Sequence, residues 1–285
     1  MRYDTFYFNG RSLSDYNACL YDGESDQMFP AREIIFTGLS SVDSKVNVFG
    51  TKYSDTLELH GLICKDPDFY LTQEEREFTD FDIRNIKSWL MSPKLPMELI
   101  PYGIDMFASD VSYFGIFTEI QPFMVAGKVF GLYFTFKCNS PYGYSGLYTK
   151  EYDLSNAAVS EGSFYNSSDE LCDYLYPQIK VYVSSRIGTL TIKNNTDNGN
   201  EMKVNLINCE YFVIDTYNMM VYDNKNNPIL LCDLGWTGAD AIGQKIYWFR
   251  LLPGENNLTF STSVSGSVEK IEISARFVRK AGGFL

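Results

Sequence analysis

The stretch KVFGLYFTFKCNSPYGYS, Lys128–Ser145, decides the fold more than any other part of this sequence. From Val129 to Cys138 it is almost continuously apolar, and aromatic and β-branched residues of this kind fit the pleated surface of a sheet. Pro141 and Gly143 follow directly and end the run, since both residues interrupt regular strands. We therefore predict a long, largely buried strand that closes at a turn.

The segments before this strand predict further strands and one helix. Asn9 and Gly10 favour the positive backbone angles of a tight hairpin turn, and alternation in DTLELHGLIC and SYFGIFTEIQPFMV predicts half-buried strands. In TDFDIRNIKSWLMSPK the period becomes that of a helix, with Thr79 and Asp82 at the spacing of a capping box. We expect this helix to span about residues 79–92, with apolar positions at Phe81 or Ile83, Ile86, Trp89 and Leu90.

The sequence after residue 150 predicts a second domain built only from strands. Ser, Asn, Asp and Glu dominate residues 151–176, and this shift in composition predicts a linker. Beyond it, short strand-like runs alternate with the polar turns NNTDNGN, YDNKNNP and LLPGENN, at intervals typical of a β-sandwich. The predicted fold class is mainly β with one helix, in three parts: an N-terminal domain (1–150), the linker (151–176) and a C-terminal sandwich (177–285).

One corner of the predicted sandwich is specific enough to describe residue by residue. WFRLLPGENNLTFS, Trp248–Ser261, predicts a strand, a turn at Pro253 and Gly254, and a returning strand. Asn256 and Asn257 are expected to bond to their own backbone and so to end the turn. The segment therefore carries scaffold chemistry and nothing catalytic.

Composition and charge limit the possible functions. Hydrophobic residues make up 45% of the 285 residues, which is ample for a packed core and argues against disorder. The formal net charge of −12 repels phosphate backbones, so no specific nucleic-acid binding is expected. The N-terminus has no apolar signal region, and no apolar run approaches the roughly 18 residues of a membrane span. We therefore expect a soluble protein, made in a cytoplasm, with no membrane partner.

The six cysteines do not form a recognisable metal or redox motif. No two of them are closer than 23 residues in the chain, which excludes the paired spacing of zinc sites and redox dithiols. Most of them lie in strand-like runs, where a reduced and buried thiol is ordinary. We expect thiols and no bound metal.

The candidate catalytic residues are few, and each has a simpler structural explanation. His60 is the only histidine, so a Ser-His-Asp site would have to use it, yet it lies on the polar face of a predicted strand. Asp215 follows a strand and is expected to be a turn or interface residue. The helix dipole accounts for the acidic residues at the predicted helix start, which are Glu74, Glu75 and Glu77. We predict no enzyme activity and no cofactor, with a glycosidase using carboxylates alone left as an alternative.

Two tryptophans leave a second function open. GWTG around Trp236 and IYWF around Trp248 are candidate platforms on which a sugar ring could stack. A tryptophan in an alternating strand is also an ordinary core residue. The alternative function is therefore a carbohydrate-binding module that contacts host cell-wall sugar through Trp236 or Trp248.

The order of these features resembles the distal tail proteins (Dit family) of long-tailed bacteriophages. At the front, FYFNGRSLSDYNACL, SWLMSPKLPMELIPYG and FTFKCNSPYGYS are similar to the opening hairpin, the helix end and the closing strand of the family's first domain. In the second half, GTLTIKNNT, YFVIDTYNMMVYDN and FRLLPGENNLTFS are similar to strands of its galectin-like sandwich. The resemblance spans both halves of the chain.

This resemblance implies a structural role in the virion. It implies a homo-hexameric ring at the tail tip, in which the N-terminal belt domain surrounds a channel for DNA ejection and the galectin-like domain projects outward. The partners it implies are the tail tube protein, the tail-associated hub protein, and receptor-binding or baseplate proteins used in host attachment. It implies assembly in the cytoplasm of a bacterial host, without catalysis or cofactors.

Overall fold

The structure is a computed structural model that describes residues 3–22, 32–36, 48–53, 55–70, 72, 74–103, 111–184, 188–231, 234–235, 237–238 and 247–280. The chain divides into two units. The first runs to Tyr144 and takes up the chain again from Arg279, and the second is Ser145–Val278.

The first unit is built on a seven-stranded sheet with strand order β2-β1-β7-β8-β9-β6-β3, in which every neighbouring pair is antiparallel. A separate antiparallel pair, β4 with β5, lies between β3 and β6 in the chain. The elements are β1 (Tyr3–Phe8), β2 (Arg11–Ser12), a 3₁₀ turn (Leu13–Tyr16), β3 (Ala18–Asp22), β4 (Arg32–Phe36), β5 (Val48–Tyr53), β6 (Glu58–Lys65), α1 (Asp80–Leu90), β7 (Met97–Gly103), β8 (Tyr113–Val125), β9 (Lys128–Cys138) and β10 (Gly143–Tyr144).

Two local predictions for this unit are confirmed. Asn9 and Gly10 have φ angles of 46° and 75°, so both central residues of the β1–β2 turn adopt the positive φ that this hairpin requires. Helix α1 begins after Thr79, whose hydroxyl accepts a hydrogen bond from the Asp82 amide, while the Thr79 amide donates to the Asp82 carboxylate at 3.0 Å. This reciprocal capping box satisfies two amides that the first turn of a helix leaves unpaired.

Trp89 attaches the helix to the sheet. Its ring lies 5.9 Å from that of Phe6 and 5.0 Å from that of Tyr16, measured between centroids, and both pairs are stacked. Its indole Nε1 donates to the carbonyl of Phe8 at 2.9 Å, so the polar end of the buried ring is satisfied. Behind Trp89, the core of the unit is an aromatic cluster of Phe6, Phe8, Phe117, Phe134 and Phe136.

The second unit is a sandwich of two five-stranded antiparallel sheets with orders β11-β20-β13-β16-β17 and β12-β19-β14-β15-β18. Inward side chains of both sheets share one core, as Ile179 and Phe212 of the first sheet and Leu190 and Phe260 of the second show. The strands are β11 (Tyr148–Asp153), β12 (Val159–Asn166), β13 (Gln178–Val183), β14 (Thr189–Asn194), β15 (Asn200–Asn205), β16 (Tyr211–Asp215), β17 (Met220–Asp223), β18 (Thr237–Gly238), β19 (Gly254–Thr262) and β20 (Val268–Ala275), followed by β21 (Val278–Arg279).

The prediction of a linker at 151–176 is wrong. Residues 148–153 and 159–166 are strands β11 and β12, one in each sheet of the sandwich, and the first unit ends at Tyr144 rather than at residue 150. The apolar pattern that predicts a strand was weak in β11 and β12, because each turns few large side chains inward, chiefly Tyr152 and Phe164. Gly162 stands beneath the Tyr152 ring, where a Cβ would come within 2.6 Å of a ring carbon, so even a small side chain is excluded there.

The predicted strand before Pro253 is also wrong. Residues 247–250 adopt no regular structure, and only Leu251 pairs, in an isolated antiparallel bridge with Leu175. The two amides of that bridge each donate to the opposite carbonyl, at 2.8 and 2.9 Å. An apolar run therefore packs here as an irregular segment, because its backbone groups find partners outside a ladder.

The corner after Pro253 is largely as predicted. Gly254 has a φ of 83°, and β19 begins at this residue. Asn256 is fully buried, and its side chain accepts from the amide of Leu252 and donates to the carbonyl of Leu252, both at 2.8 Å. The amide of Asn257 donates to the hydroxyl of Thr196 on a neighbouring turn, and the backbone bond expected of the Asn257 side chain stays a prediction.

The prediction that the second half contains only strands is confirmed for the residues that the structure describes. Within the same residues, no helix has both the length and the apolar character that crossing a membrane demands. The five cysteines described are thiols, as predicted, and they are Cys19, Cys64, Cys138, Cys172 and Cys209. The sixth, Cys232, lies outside the described residues.

Candidate assembly surface

The β8–β9 hairpin is the longest paired element among the residues that the structure describes, with 13 residues in β8 and 11 in β9. The apolar run that predicted β9 forms this strand as expected. Its two-residue turn, Ala126 and Gly127, has φ angles of 49° and 80°. The turn therefore belongs to the tight class that matches the twist of the flanking strands. Register shifts between Phe117 and Glu119 and between Phe123 and Met124 add local bends.

The segment before α1 holds the tip of this hairpin. The amide of Phe78 donates to the carbonyl of Val129 at 2.8 Å. Lys128 Nζ lies 2.7 Å from Glu77 Oε2, and this hydrogen bond raises the pKa of Lys128 above its ordinary value. The hairpin is thus attached at its tip as well as at its base, which fixes the surface that it presents.

One edge of β8 is open along most of its length in the described part of the chain. Strand β7 pairs with β8 only where Met97–Leu99 meets Tyr113–Gly115, so residues 116–125 have no described partner on that side. Pro122 lies within this stretch, and a proline is tolerated in a strand where its missing N–H faces an edge. Exposed backbone of this kind is a template for pairing with another strand.

The end of the hairpin nearest its turn carries exposed apolar side chains along the open edge. Met124 is 56% exposed, and Val125 and Tyr133 are exposed as well. The rings of Phe123 and Tyr133 pack edge to face across the two strands, with centroids 5.6 Å apart. Aromatic residues and methionine are enriched at protein–protein interfaces, so the composition of this end fits a contact surface. We call residues 116–125 together with Tyr133 the β8 edge surface.

The outer face of the sheet beside this surface contains the single histidine. His60 lines an open cavity of about 430 Å³ together with Tyr21, Glu119, Gln121, Tyr133 and Thr135. His60 Nδ1 lies 3.2 Å from the hydroxyl of Thr135, and its Nε2 lies 4.0 Å from Glu58. Lys137 binds Glu58 more closely, at 2.9 Å. Because the Glu58 carboxylate is bound to Lys137, it does not orient the His60 imidazole for the role of a general base. The arrangement therefore does not favour hydrolysis.

The acidic residues considered for catalysis lie in turns or in an ion pair. Glu77 binds Lys128, and Glu74, Glu75 and Glu77 precede α1 instead of lying in its first turn, which begins at Asp80. Asp215 accepts from the amide and the side-chain amide of Asn218, at 2.9 and 2.8 Å, as in a turn. Glu75 accepts from the amide of Thr72 at 3.0 Å. Across the described ranges, no three His, Cys, Asp or Glu side chains are grouped so that they could hold a metal ion.

The structure places only one of the two candidate sugar platforms. Trp248 is partly buried and packs against the core of the sandwich, in the irregular segment before Pro253. Trp236 lies outside the described residues. The two tryptophans are therefore not brought together into a described site.

Comparison with known proteins gives matches to both halves of the chain. Residues 1–140 match the profile of a family described as phage tail protein N-terminal domain, and residues 142–269 match one described as phage tail C-terminal domain. No protein of curated function is similar enough in sequence to count as a match.

Solved structures of phage tail components share the fold. The crystal structure of the Dit protein (gp 19.1) of phage SPP1 matches with a TM-score of 0.63 at 14% identity, covering 96% of this chain and 98% of that chain. The SPP1 protein is described as a paradigm of hub adsorption apparatus in phages that infect Gram-positive hosts. A chain of the phage P2 baseplate in its activated, Ca-containing conformation matches with a TM-score of 0.53 at 9% identity, covering 99% and 100% of the two chains.

The fold is that of a distal tail protein, in which a sheet unit with a helix and a long hairpin is combined with a two-sheet sandwich. The chain belongs to the phage tail proteins, because the two profiles of that group together span nearly its whole length. The resemblance predicted from the sequence is thereby confirmed.

Proposed function

We propose that this chain is the distal tail hub of its phage. Six copies close into a ring through their first units and surround a channel through which DNA passes. The second unit, a galectin-like sandwich, projects outward and anchors receptor-binding or baseplate proteins. The hub joins these proteins to the tail tube and has no catalytic activity. Membership in the phage tail proteins and the fold shared with a distal tail protein support this proposal.

The observation that carries the ring is the β8 edge surface. Its open strand edge offers backbone groups over residues 116–125, and its end adds exposed apolar side chains such as Met124. An isolated edge of this length is a liability in a monomer, because it pairs with whatever strand meets it. A second copy of the same chain that packs against this edge in a fixed orientation covers it and presents its own open edge to the next copy. Ring closure requires this head-to-tail repetition.

Domain roles follow from this assignment. The first unit, predicted as residues 1–150 and observed to end at Tyr144, is the belt that forms the ring, because it contains the open edge. The sandwich is the part that binds other tail-tip proteins. The tail tube protein and the tail-associated hub protein would meet the ring at its two faces, and the location that we propose for the protein is the tail tip of the virion.

We predict that Met124→Asp prevents ring formation without unfolding the chain. Met124 is 56% exposed, so the charge costs little in the monomer, but it would be buried against the neighbouring subunit. The expected result, by light scattering behind a sizing column, is a shift of the assembled species to monomer. Met219→Asp is the matched control, because Met219 is also 56% exposed, lies in the second unit, and has a φ of 57° that aspartate tolerates.

The Met219→Asp control determines how the solution mass of Met124→Asp is interpreted. Met219→Asp should assemble like the wild type, with both variants keeping the wild-type circular dichroism spectrum. Assembly of Met124→Asp to the wild-type mass would remove the β8 edge surface from the proposed interface. Sugar binding at Trp236 or Trp248 stays a prediction. The partial burial of Trp248 against the core of the sandwich does not favour this residue as an exposed platform.

A further inference from the structure

Two cysteines face each other across the edge of the first sheet. Strands β3 and β6 are antiparallel, and their register places Cys19 directly opposite Cys64. Both residues are thiols, and both are partly exposed. Directly opposed residues of an antiparallel pair have Cα atoms about 4.5 to 5.5 Å apart and side chains on the same face of the sheet. Disulfides span Cα separations of about 4.4 to 6.8 Å, so this placement meets their requirement.

The surroundings of the pair allow a bond to form. Strand β3 is the last strand of the sheet, and its ladder with β6 shifts register between Leu20 and Asp22, so its described ladder hydrogen bonds are to β6 alone. Cys19 and Cys64 line one open cavity of about 500 Å³, together with Tyr21, Asp66, Arg76 and Phe130. A small molecule can therefore reach both sulfurs.

We propose that Cys19 and Cys64 form an intramolecular disulfide when the protein meets a low-molecular-weight disulfide such as oxidised glutathione. The sulfur of Cys19, as thiolate, attacks one sulfur of the oxidant, forms a mixed disulfide and releases one glutathione thiolate. The sulfur of Cys64 then attacks the Cys19 sulfur and releases the second glutathione. The two cysteines lose two electrons and two protons, and the oxidant is reduced to two thiols.

The disulfide would link the two strands, β3 and β6, between which the chain leaves the seven-stranded sheet and returns to it. Cys19 precedes and Cys64 follows the segment that contains β4 and β5, a pair of strands outside the seven-stranded sheet. A crosslink at this point stabilises the folded unit chiefly by restricting the unfolded chain. The proposed site is therefore a crosslink that forms where the surroundings are oxidising, and it does not depend on the proposed function.

The other described thiols do not offer the same geometry. Cys138 is buried in the core of the first unit, while Cys172 is exposed and Cys209 is partly exposed in the second. Within the described ladders, only Cys19 and Cys64 are paired as opposite residues. Burial raises the pKa of Cys64 to about 11, so we assign the first attack to Cys19 and expect faster oxidation as the pH rises.

The test maps the thiols of the wild-type chain before and after oxidation. Reduced protein is incubated with oxidised glutathione, unfolded in the presence of N-ethylmaleimide, digested, and analysed by mass spectrometry. We expect loss of two alkylated thiols, a peptide pair joined through Cys19 and Cys64, and a monomer on a non-reducing gel. Oxidation should also raise the urea midpoint of the wild type, and Cys19→Ser should abolish that increase.

Cys172→Ser is the matched control, because it removes the exposed thiol and should leave the crosslink unchanged. The proposal is overturned if Cys19 and Cys64 both remain open to alkylation while Cys172 is glutathionylated. It is also overturned if either cysteine is found joined to another cysteine or to a second chain. The wild-type map decides between these results even if Cys19→Ser fails to fold.

Discussion

Asp197→Ala should lower the free energy of unfolding of the second unit by about 2 to 4 kcal/mol, because it leaves a partly buried guanidinium without its carboxylate partner. Asp197 is only 3% exposed and accepts from Arg250 Nε at 2.8 Å and from the second guanidinium nitrogen, Nη2, at 3.2 Å. The hydroxyl of Tyr247 donates to the same carboxylate at 2.8 Å. These bonds tie the irregular segment before Pro253 to the β14–β15 turn.

The measurement is urea denaturation at neutral pH, followed by circular dichroism. Glu151→Ala is the control, because Glu151 also pairs with a cation, Lys270 at 3.3 Å, but its side chain is 62% exposed. An exposed pair of this kind contributes at most about 1 kcal/mol. Equal loss of stability in the two variants would show that the Asp197 network does not hold the segment.

The same network predicts part of the pH dependence. Burial opposes ionisation of Asp197, but hydrogen bonds from Arg250 and Tyr247 outweigh it and hold the pKa of this carboxyl below its ordinary value. A carboxyl whose pKa is lower in the folded state contributes stability above its unfolded pKa of about 3.9, and this is lost as the pH falls through the folded value. The difference between wild type and Asp197→Ala should therefore shrink below about pH 4. A difference that stays constant down to pH 2 would contradict the assignment.

Trp89→Ala should lower the free energy of unfolding of the first unit by about 3 to 5 kcal/mol, the range for truncating a large buried aromatic residue. The change removes the stacking on Phe6 and Tyr16 and the bond from Nε1 to the carbonyl of Phe8. Trp89→Phe keeps a ring and loses the bond, so it should cost less than Trp89→Ala. The measurement is again urea denaturation.

Phe81→Ala is the matched control for this prediction. Phe81 lies on the same helix and is 70% exposed, so its truncation should change stability by less than about 0.5 kcal/mol. If Phe81→Ala and Trp89→Ala were equally destabilising, the contact between helix and sheet would not depend on the buried face of α1.

Features set by short-range chemistry could be predicted from the sequence. The turn at Asn9 and Gly10, the cap formed by Thr79 and Asp82, and the corner closed by Asn256 each depend on residues within a few positions of one another. Backbone preference and hydrogen-bond geometry act at this range, so a short segment includes all the residues that determine such a turn or cap.

Features set by pairing between distant segments could not be predicted in this way. Strand β12 was missed because Phe164 is its chief large inward side chain, and the rest of the strand reads as a polar loop. The open edge of β8 depends on where β7 stops pairing, which no local pattern reports. Pro122 within a predicted strand was the one available signal for that edge.

The solution mass of the purified wild-type chain tests the central claim most directly. Light scattering behind a sizing column should give a species near six times the 32.6 kDa chain, about 196 kDa, and negative-stain electron microscopy should show an annulus. A monomer of 32.6 kDa at every concentration tested, or a closed assembly of another number of copies, would contradict the proposed hexameric hub.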